Sequence, residues 1–324
     1  MRRAYRIKRK EPAVRSRISL PKKVGRLNPE EITHKEKTKI ILELRLEQPD
    51  VTLNRWFKLA ELPKSSFYEW KNKLSLQDDM DPLVEEIKHI IAASNHAYGY
   101  RRVTIALKKM GYTVNHKRVL RIMRENHLLC VKFTRKNRRY RSFKGEVRTI
   151  AENHLNRNFV TTQPNDVWVS DVTEFKVANS EEKLYLSAIM DLYNSEIIAY
   201  SMSQSPTVRL TNQSLEEALT LLPDKHNLMI HTDQGFHYQH QSWVNLLKKH
   251  SICQSMSRRG NCLDNSPMEN FFGLLKQEMY YGETTESIHH LKEAIATYIY
   301  WYNNERIKIK LNGLSPIQYR LQAA

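Results

Sequence analysis

Two apolar runs in this chain each stop on an aspartate, and that pattern limits the folds open to it. Val167-Trp168-Val169-Ser170 runs into Asp171, and Leu228-Met229-Ile230-His231-Thr232 runs into Asp233, which Gln234-Gly235 follow. A carboxylate within an apolar strand is costly unless something compensates it, so both acids are expected at strand ends, projecting from one edge of a sheet. On neighbouring strands the two carboxylates would converge and repel until cations filled the gap. A third acid, Glu269, follows Asp233 after 35 intervening residues, at the head of a helix in Asp264-Asn265-Ser266-Pro267-Met268-Glu269-Asn270-Phe271-Phe272. Two strand-end carboxylates and one on a helix make an all-oxygen set suited to paired Mg²⁺ ions, which points to chemistry on phosphodiesters. Each acid alone has a plainer reading. Asp233-Gln234-Gly235 fits a turn, and Ser266-Pro267-Met268-Glu269 fits a capping box with Pro at N1 and Glu at N3. Their conjunction outweighs the separate readings.

Around these acids the hydrophobic period changes from helix to strand. Residues 1–35 are rich in Lys, Arg and Pro without periodicity and read as a basic flexible arm. Over 36–78, Ile40, Ile41, Leu44 and Leu46 form one amphipathic stretch, Leu53, Trp56, Phe57 and Ala60 a second, and Phe67, Trp70 and Leu74 a third. Glu61-Leu62-Pro63 breaks the last two, and Lys64-Ser65-Ser66 opens a candidate recognition helix, so the segment fits a helix-turn-helix or a three-helix packing without DNA. Over 79–130 a second helical module carries Leu83, Ile87, Ile90 and Ile91 on one face. Gly111 stops its middle helix, and Asn115 caps a third. Residues 131–159 form a basic linker, and 160–324 read as a mixed α/β layer domain closing on helices rich in Tyr and Trp.

Charge follows the same division. The chain of 324 residues carries a net charge of +17. Residues 1–150 hold 37 Lys and Arg against 16 Asp and Glu, whereas residues 151–324 hold 15 against 19. A basic front half joined to a mildly acidic back half suggests a polyanion-binding module attached to a site domain. The candidate phosphate contacts are Arg101, Arg102, Lys117, Arg118 and Arg121 in the helical module and Arg135, Lys136, Arg138 and Arg139 in the linker. Near the acids they are Arg258, Arg259 and Lys276, the last seven residues after Glu269. The cysteines Cys130, Cys253 and Cys262 form no CxxC pair and no even framework, which argues against a zinc ribbon or a disulfide scaffold. Neither a secretory signal nor a membrane span is expected, so the protein is expected to be soluble and intracellular.

The three acidic segments together resemble the two-Asp, one-Glu (DDE) catalytic core of retroviral integrases and of the insertion-sequence transposases that share it. The closest likeness is to the OrfB transposase of insertion sequence family three. It rests on Val167-Trp168-Val169-Ser170-Asp171-Val172-Thr173, on His231-Thr232-Asp233-Gln234-Gly235-Phe236-His237-Tyr238, and on the Glu269 segment through Lys276-Gln277-Glu278. Tyr302-Asn303-Asn304-Glu305-Arg306 and Leu314-Ser315-Pro316-Ile317-Gln318-Tyr319 resemble the family tail, and Tyr98-Gly99-Tyr100-Arg101-Arg102 its upstream helical module. The likeness covers roughly residues 50–320.

That resemblance implies an α/β, ribonuclease-H-like fold: a mixed five-stranded sheet flanked by helices, preceded by all-α helix-turn-helix modules. Asp171 and Asp233 would lie on adjacent strands with Glu269 facing them. The implied activity is Mg²⁺-dependent DNA 3′-end nicking and strand transfer by direct transesterification, with two ions per site and Mn²⁺ able to substitute. Double-stranded DNA is the implied partner, as element ends and as target, with an OrfA-type protein and further copies of the chain, in a bacterial cytoplasm at the nucleoid. A structure-specific nuclease on the same core, or a DNA-binding regulator with an inactive core, are the alternatives. Two features depart from the likeness. The His/Cys zinc module of retroviral integrases is missing, and the heptads expected of an OrfA partner are not visible.

Overall fold

Residues 32–78, 81–133, 150–177, 180–258, 262–282 and 287–322 are described in the computed structural model of the chain. By its internal contacts the chain divides into two compact units, residues 1–81 and 82–324.

In the first unit, helices α1 (His34–Glu47), α2 (Leu53–Leu59) and α3 (Lys64–Asp78) enclose Ile41, Leu44, Trp56, Phe57, Leu62 and Phe67. Thr33 and Glu36 form a capping box that starts α1 inside the segment read as an arm. Leu46 faces solvent, 87% exposed, and not the core as its spacing suggested. It sits two positions beyond Leu44, on the opposite side of the helix.

The second unit begins with α4 (Leu83–Ala93), α5 (Tyr100–Lys109) and α6 (His116–Glu125). Gly111, at φ +93°, ends α5 where a left-handed residue is needed, and Asn115 caps α6 by accepting from the Lys117 amide. Val103, Leu107, Val119, Ile122 and Met123 form their shared core, and Ile307 from the chain's tail joins it.

The sheet has strands β1 (Val167–Lys176), β2 (Lys183–Asp191), β3 (Glu196–Ser203), β4 (Met229–Thr232) and β5 (Cys253–Met256) in the order β3-β2-β1-β4-β5. The first three pair antiparallel, while β4 lies parallel to both β1 and β5. Both faces are buried, as the near-continuous apolar runs require. On one face Val167, Val169, Leu186 and Ala188 pack beneath α10 (Ser266–Leu275) and α11 (Ile288–Asn304). On the other, Trp168, Ile189 and Ile230 pack against α7 (Val208–Leu219) and α9 (Gln241–Lys249). A bulge at Ile198 lets Ile197 and Ala199 serve opposite faces. The short α8 (Phe236–Gln239) follows β4, and α12 (Pro316–Leu321) closes the chain behind a Ser315–Gln318 capping box. Among the described residues no helix is long and apolar enough to cross a membrane.

Candidate active site

β1 does not stop at Asp171. It continues to Lys176, with Asp171 opposite Ala188 of β2. The expected strand end is instead the end of β4, whose pairing with β1 stops at Val169 and His231. Continuing that register sets Asp171 beside Asp233, so a gap in the sheet opens at mid-strand. Alternation along β1 puts Val169, Asp171, Thr173 and Phe175 on the face covered by α10. Each aspartate is held by a backbone amide: the Val172 N–H donates to Asp171 Oδ1 (2.8 Å) and the Gly235 N–H to Asp233 Oδ1 (2.8 Å).

Glu269 lies in the first turn of α10, exposed, while Met268, Phe271, Phe272 and Leu275 anchor that helix to the sheet. The capping box that was the plainer reading of Glu269 does not form at Ser266. Asn265 takes the cap position without a side-chain cap bond, and its Nδ2 donates to the Ser170 carbonyl (3.1 Å), tying the helix start to the strand beside Asp171.

The electrostatics join the three acids. Burial pushes the Asp171 carboxyl well above its usual range, and the charges of Asp233 and then Glu269 push it further, against the Val172 amide and Lys276. Burial also raises Asp233 and Glu269. A buried carboxylate whose proton affinity two other acids raise is short of positive charge, and an all-oxygen set with that deficit fits hard divalent cations. The side chains do not close on a point: among the described residues, no three His, Cys, Asp or Glu side chains are grouped to hold a metal ion. Lys276 Nζ donates to Thr173 Oγ1 (2.6 Å) and lies 5.0 Å from the Phe175 ring centroid, on the same face as Asp171.

Several supporting residues carry no expectation from sequence. The Asp264 side chain, at the start of the Glu269 segment, is fully buried. It accepts from Arg157 Nε (2.7 Å), from the Arg258 backbone (3.0 Å) and Nε (3.1 Å), and from Asn153 (3.3 Å). These bonds, that of Arg258 foremost, hold its carboxyl far below the ordinary range. His231 is buried between Ser255 Oγ (2.8 Å) and Ser257 Oγ (3.1 Å), and burial brings its pKa down to about 4. An added Cβ at Gly235 would stand 2.8 Å from Asp233 Oδ1.

The candidate cations are placed unequally. Arg101, Lys117, Arg118 and Arg121 are exposed on α5 and α6. Arg102 is half-buried, its Nε donating to the Ile307 carbonyl (3.0 Å), which gives it a structural task. Arg258 pairs with Asp264 while its side chain stays 60% exposed. Arg135, Lys136, Arg138, Arg139 and Arg259 lie outside the described residues.

Family models match the chain as an integrase core domain over residues 161–262 and again over 269–323, and as an HTH-like domain over 78–137. The chain is 43% identical over 284 residues to the putative transposase InsK of insertion sequence element IS150 from Escherichia coli (strain K12), covering 88% of this chain and 98% of that protein. It is 30% identical to the transposase InsF of insertion sequence IS3A from the same strain, covering 84% and 95%. Among solved structures it resembles the HTLV-2 integrase catalytic core domain in complex with magnesium. That likeness is 20% identical, covers 49% of this chain and 97% of that one, and has a TM-score of 0.38.

Proposed function

The chain belongs to the insertion-sequence transposases built on an integrase core, and on that premise we propose that it nicks the 3′ ends of its element and joins them to target DNA by direct transesterification at Asp171, Asp233 and Glu269. The observation that carries this reading is the β1–β4 register, which sets Asp171 beside Asp233 at a gap between neighbouring strands, where the charges of Asp233 and Glu269 raise the buried Asp171 carboxyl. Asp171, Asp233 and Glu269 would hold two Mg²⁺ ions, for which Mn²⁺ can substitute. Bound there, such ions supply the charge that activates an attacking oxygen and steadies a departing one.

The chain's own groups orient this chemistry. The Val172 and Gly235 amides fix the rotamers of the two aspartates, and Asn265 ties the Glu269 helix to β1. Lys276, directed by Thr173, contributes an ammonium suited to a phosphate oxygen. Water attacks in the first step and the freed 3′-hydroxyl in the second, so no side chain serves as nucleophile. DNA is engaged by the exposed cations of α5 and α6 and, near the site, by Arg258, Arg259 and Lys276. The linker cations Arg135, Lys136, Arg138 and Arg139 add sequence-independent contacts. Pairing two element ends calls for a multimer on DNA, with an OrfA-type protein as a further partner, at the nucleoid.

Asp233→Asn keeps the size of the side chain and removes its charge. Strand cleavage and joining are expected to fall at least about a hundredfold while DNA binding persists in a gel-shift assay. Retained joining would remove Asp233 from the site. A pre-nicked end tests the reaction class: a plain nuclease hydrolyses such a substrate but never joins it.

A further inference from the structure

Immediately after α10 the helix widens into a π turn, Lys276–Tyr280, closed by a bond from the Tyr281 amide to the Lys276 carbonyl (2.7 Å). Such turns are less stable than α-helix and persist where surrounding contacts hold them. Three side chains staple this one. Lys276 reaches Thr173 on β1. The Tyr280 hydroxyl donates to the Lys176 carbonyl (2.6 Å) and accepts from the Lys176 amide (3.1 Å). Glu278, between them in sequence, points the opposite way, into the protein.

Glu278 meets Arg306 there in a two-pronged ion pair, Nε to Oε2 at 2.8 Å and a second bond from the other guanidinium prong to Oε1. Both side chains are 1% exposed. The Tyr298 hydroxyl donates to Glu278 Oε2 (2.8 Å), and the guanidinium carbon lies 5.7 Å from the Tyr302 ring centroid. A buried pair of this kind contributes little net stability over apolar residues of similar size, so its presence calls for another role.

We propose that Glu278 and Arg306 are positioning residues for strand transfer: their buried pair holds the π turn in place and so sets the angle at which Lys276 meets β1 beside Asp171. Without the pair, the turn relaxes toward α-helical spacing. Residues after Leu275 then rotate relative to α10, whose own apolar anchors keep Glu269 where it is. Lys276 would lose its seat at Thr173 while the carboxylates stayed put. This inference rests on the reading of Lys276 as the phosphate contact.

A double-mutant cycle tests it, with single-turnover strand transfer from a pre-nicked end and melting temperature measured for each protein. Lys276→Ala is expected to slow joining about tenfold or more. Replacing both Glu278 and Arg306 by Met, which removes two charges at similar volume, is expected to slow it comparably at unchanged DNA affinity. Adding Lys276→Ala to that protein should cost no more than about twofold beyond, because the ammonium is already misplaced. Losses that multiply in full would overturn the proposal, as would unchanged joining after the double replacement. If Lys276→Ala alone leaves the rate intact while the double replacement slows it, the phosphate role of Lys276 falls, and the route through it falls too. Should the doubly replaced protein fail to fold, Arg306→Lys keeps the charge and gives up the two-pronged contact. The same shortfall from multiplicativity is expected there, and its absence counts equally against the pair.

Discussion

At the scale of single residues, an acid's neighbours matter as much as the acid. Asp171 and Asp233 stand out in the sequence because each follows an apolar run, and Glu269 because it heads a helix. Gly235 was legible only as part of a turn, since its importance depends on how closely Asp233 folds back over it. Its backbone, at φ −61° and ψ 147°, suits any residue. An added methyl would nonetheless stand 2.8 Å from the carboxylate oxygen. Gly235→Ala should therefore fold with a melting temperature within a few degrees of the parent, a change of about 1 kcal/mol or less, yet lose about tenfold or more in strand cleavage as Asp233 is displaced. Parallel melting and cleavage measurements check this, and a fully active alanine variant would show that the carboxylate has room to move. Asp264 shows the converse. At the start of the Glu269 segment it reads as one more acid near a helix start, but its partners Asn153 and Arg157 lie 111 and 107 residues away. Sequence spacing does not reveal such a hub.

Among the elements, the difference between an apolar run and a strand decided what could be read. The run before Asp171 ends because β4 ends beside it, whereas β1 itself goes on, paired to β2 through Lys176. The mixed α/β character of the core and the caps at Gly111 and Asn115 follow from local chemistry and were expected. The π turn was not, because tertiary staples stabilise it and its own residues read as plain helix. The link between elements at Asp264 can be tested by pH. Its carboxyl is depressed in the folded protein, so it contributes stability that is fully present above the unfolded value of about 4 and is lost as pH falls below it. Asp264→Asn should then lower stability by about 2 kcal/mol at neutral pH, a figure kept small because Arg157 and Arg258 are partly exposed. The gap between the two proteins should narrow only below about pH 4. Thermal melts from pH 7 to 2.5 measure it, and a gap already closed at pH 5 would assign the loss to packing instead of charge.

For the whole molecule, charge asymmetry was visible in composition, but its meaning changed with the structure. A basic front half suggested a module apart from the site domain, yet residues 82–133 share one compact unit with the sheet. The Ile307 peptide is held on both sides by the helical module: its amide donates to the Tyr98 hydroxyl (2.8 Å) and its carbonyl accepts from Arg102 (3.0 Å), across 209 and 205 residues. Arg102 thus belongs to the joint between module and core, and the proposed DNA contacts of this module are the cations exposed on α5 and α6. The two kinds of arginine should separate in a salt titration. Binding to duplex DNA should weaken steeply as salt rises, because each phosphate contact releases counterions. Lys117→Ala and Arg121→Ala together should lower the slope of log K against log salt by about 2, near one per contact, and leave the melting temperature unchanged. Arg102→Ala should do the reverse, lowering the melting temperature while the slope stays close to that of the parent. If Arg102→Ala instead reduced the slope by a full contact at constant stability, its remaining guanidinium hydrogens would be reaching a phosphate while Nε holds the tail, and the joint would itself be part of the DNA-binding surface.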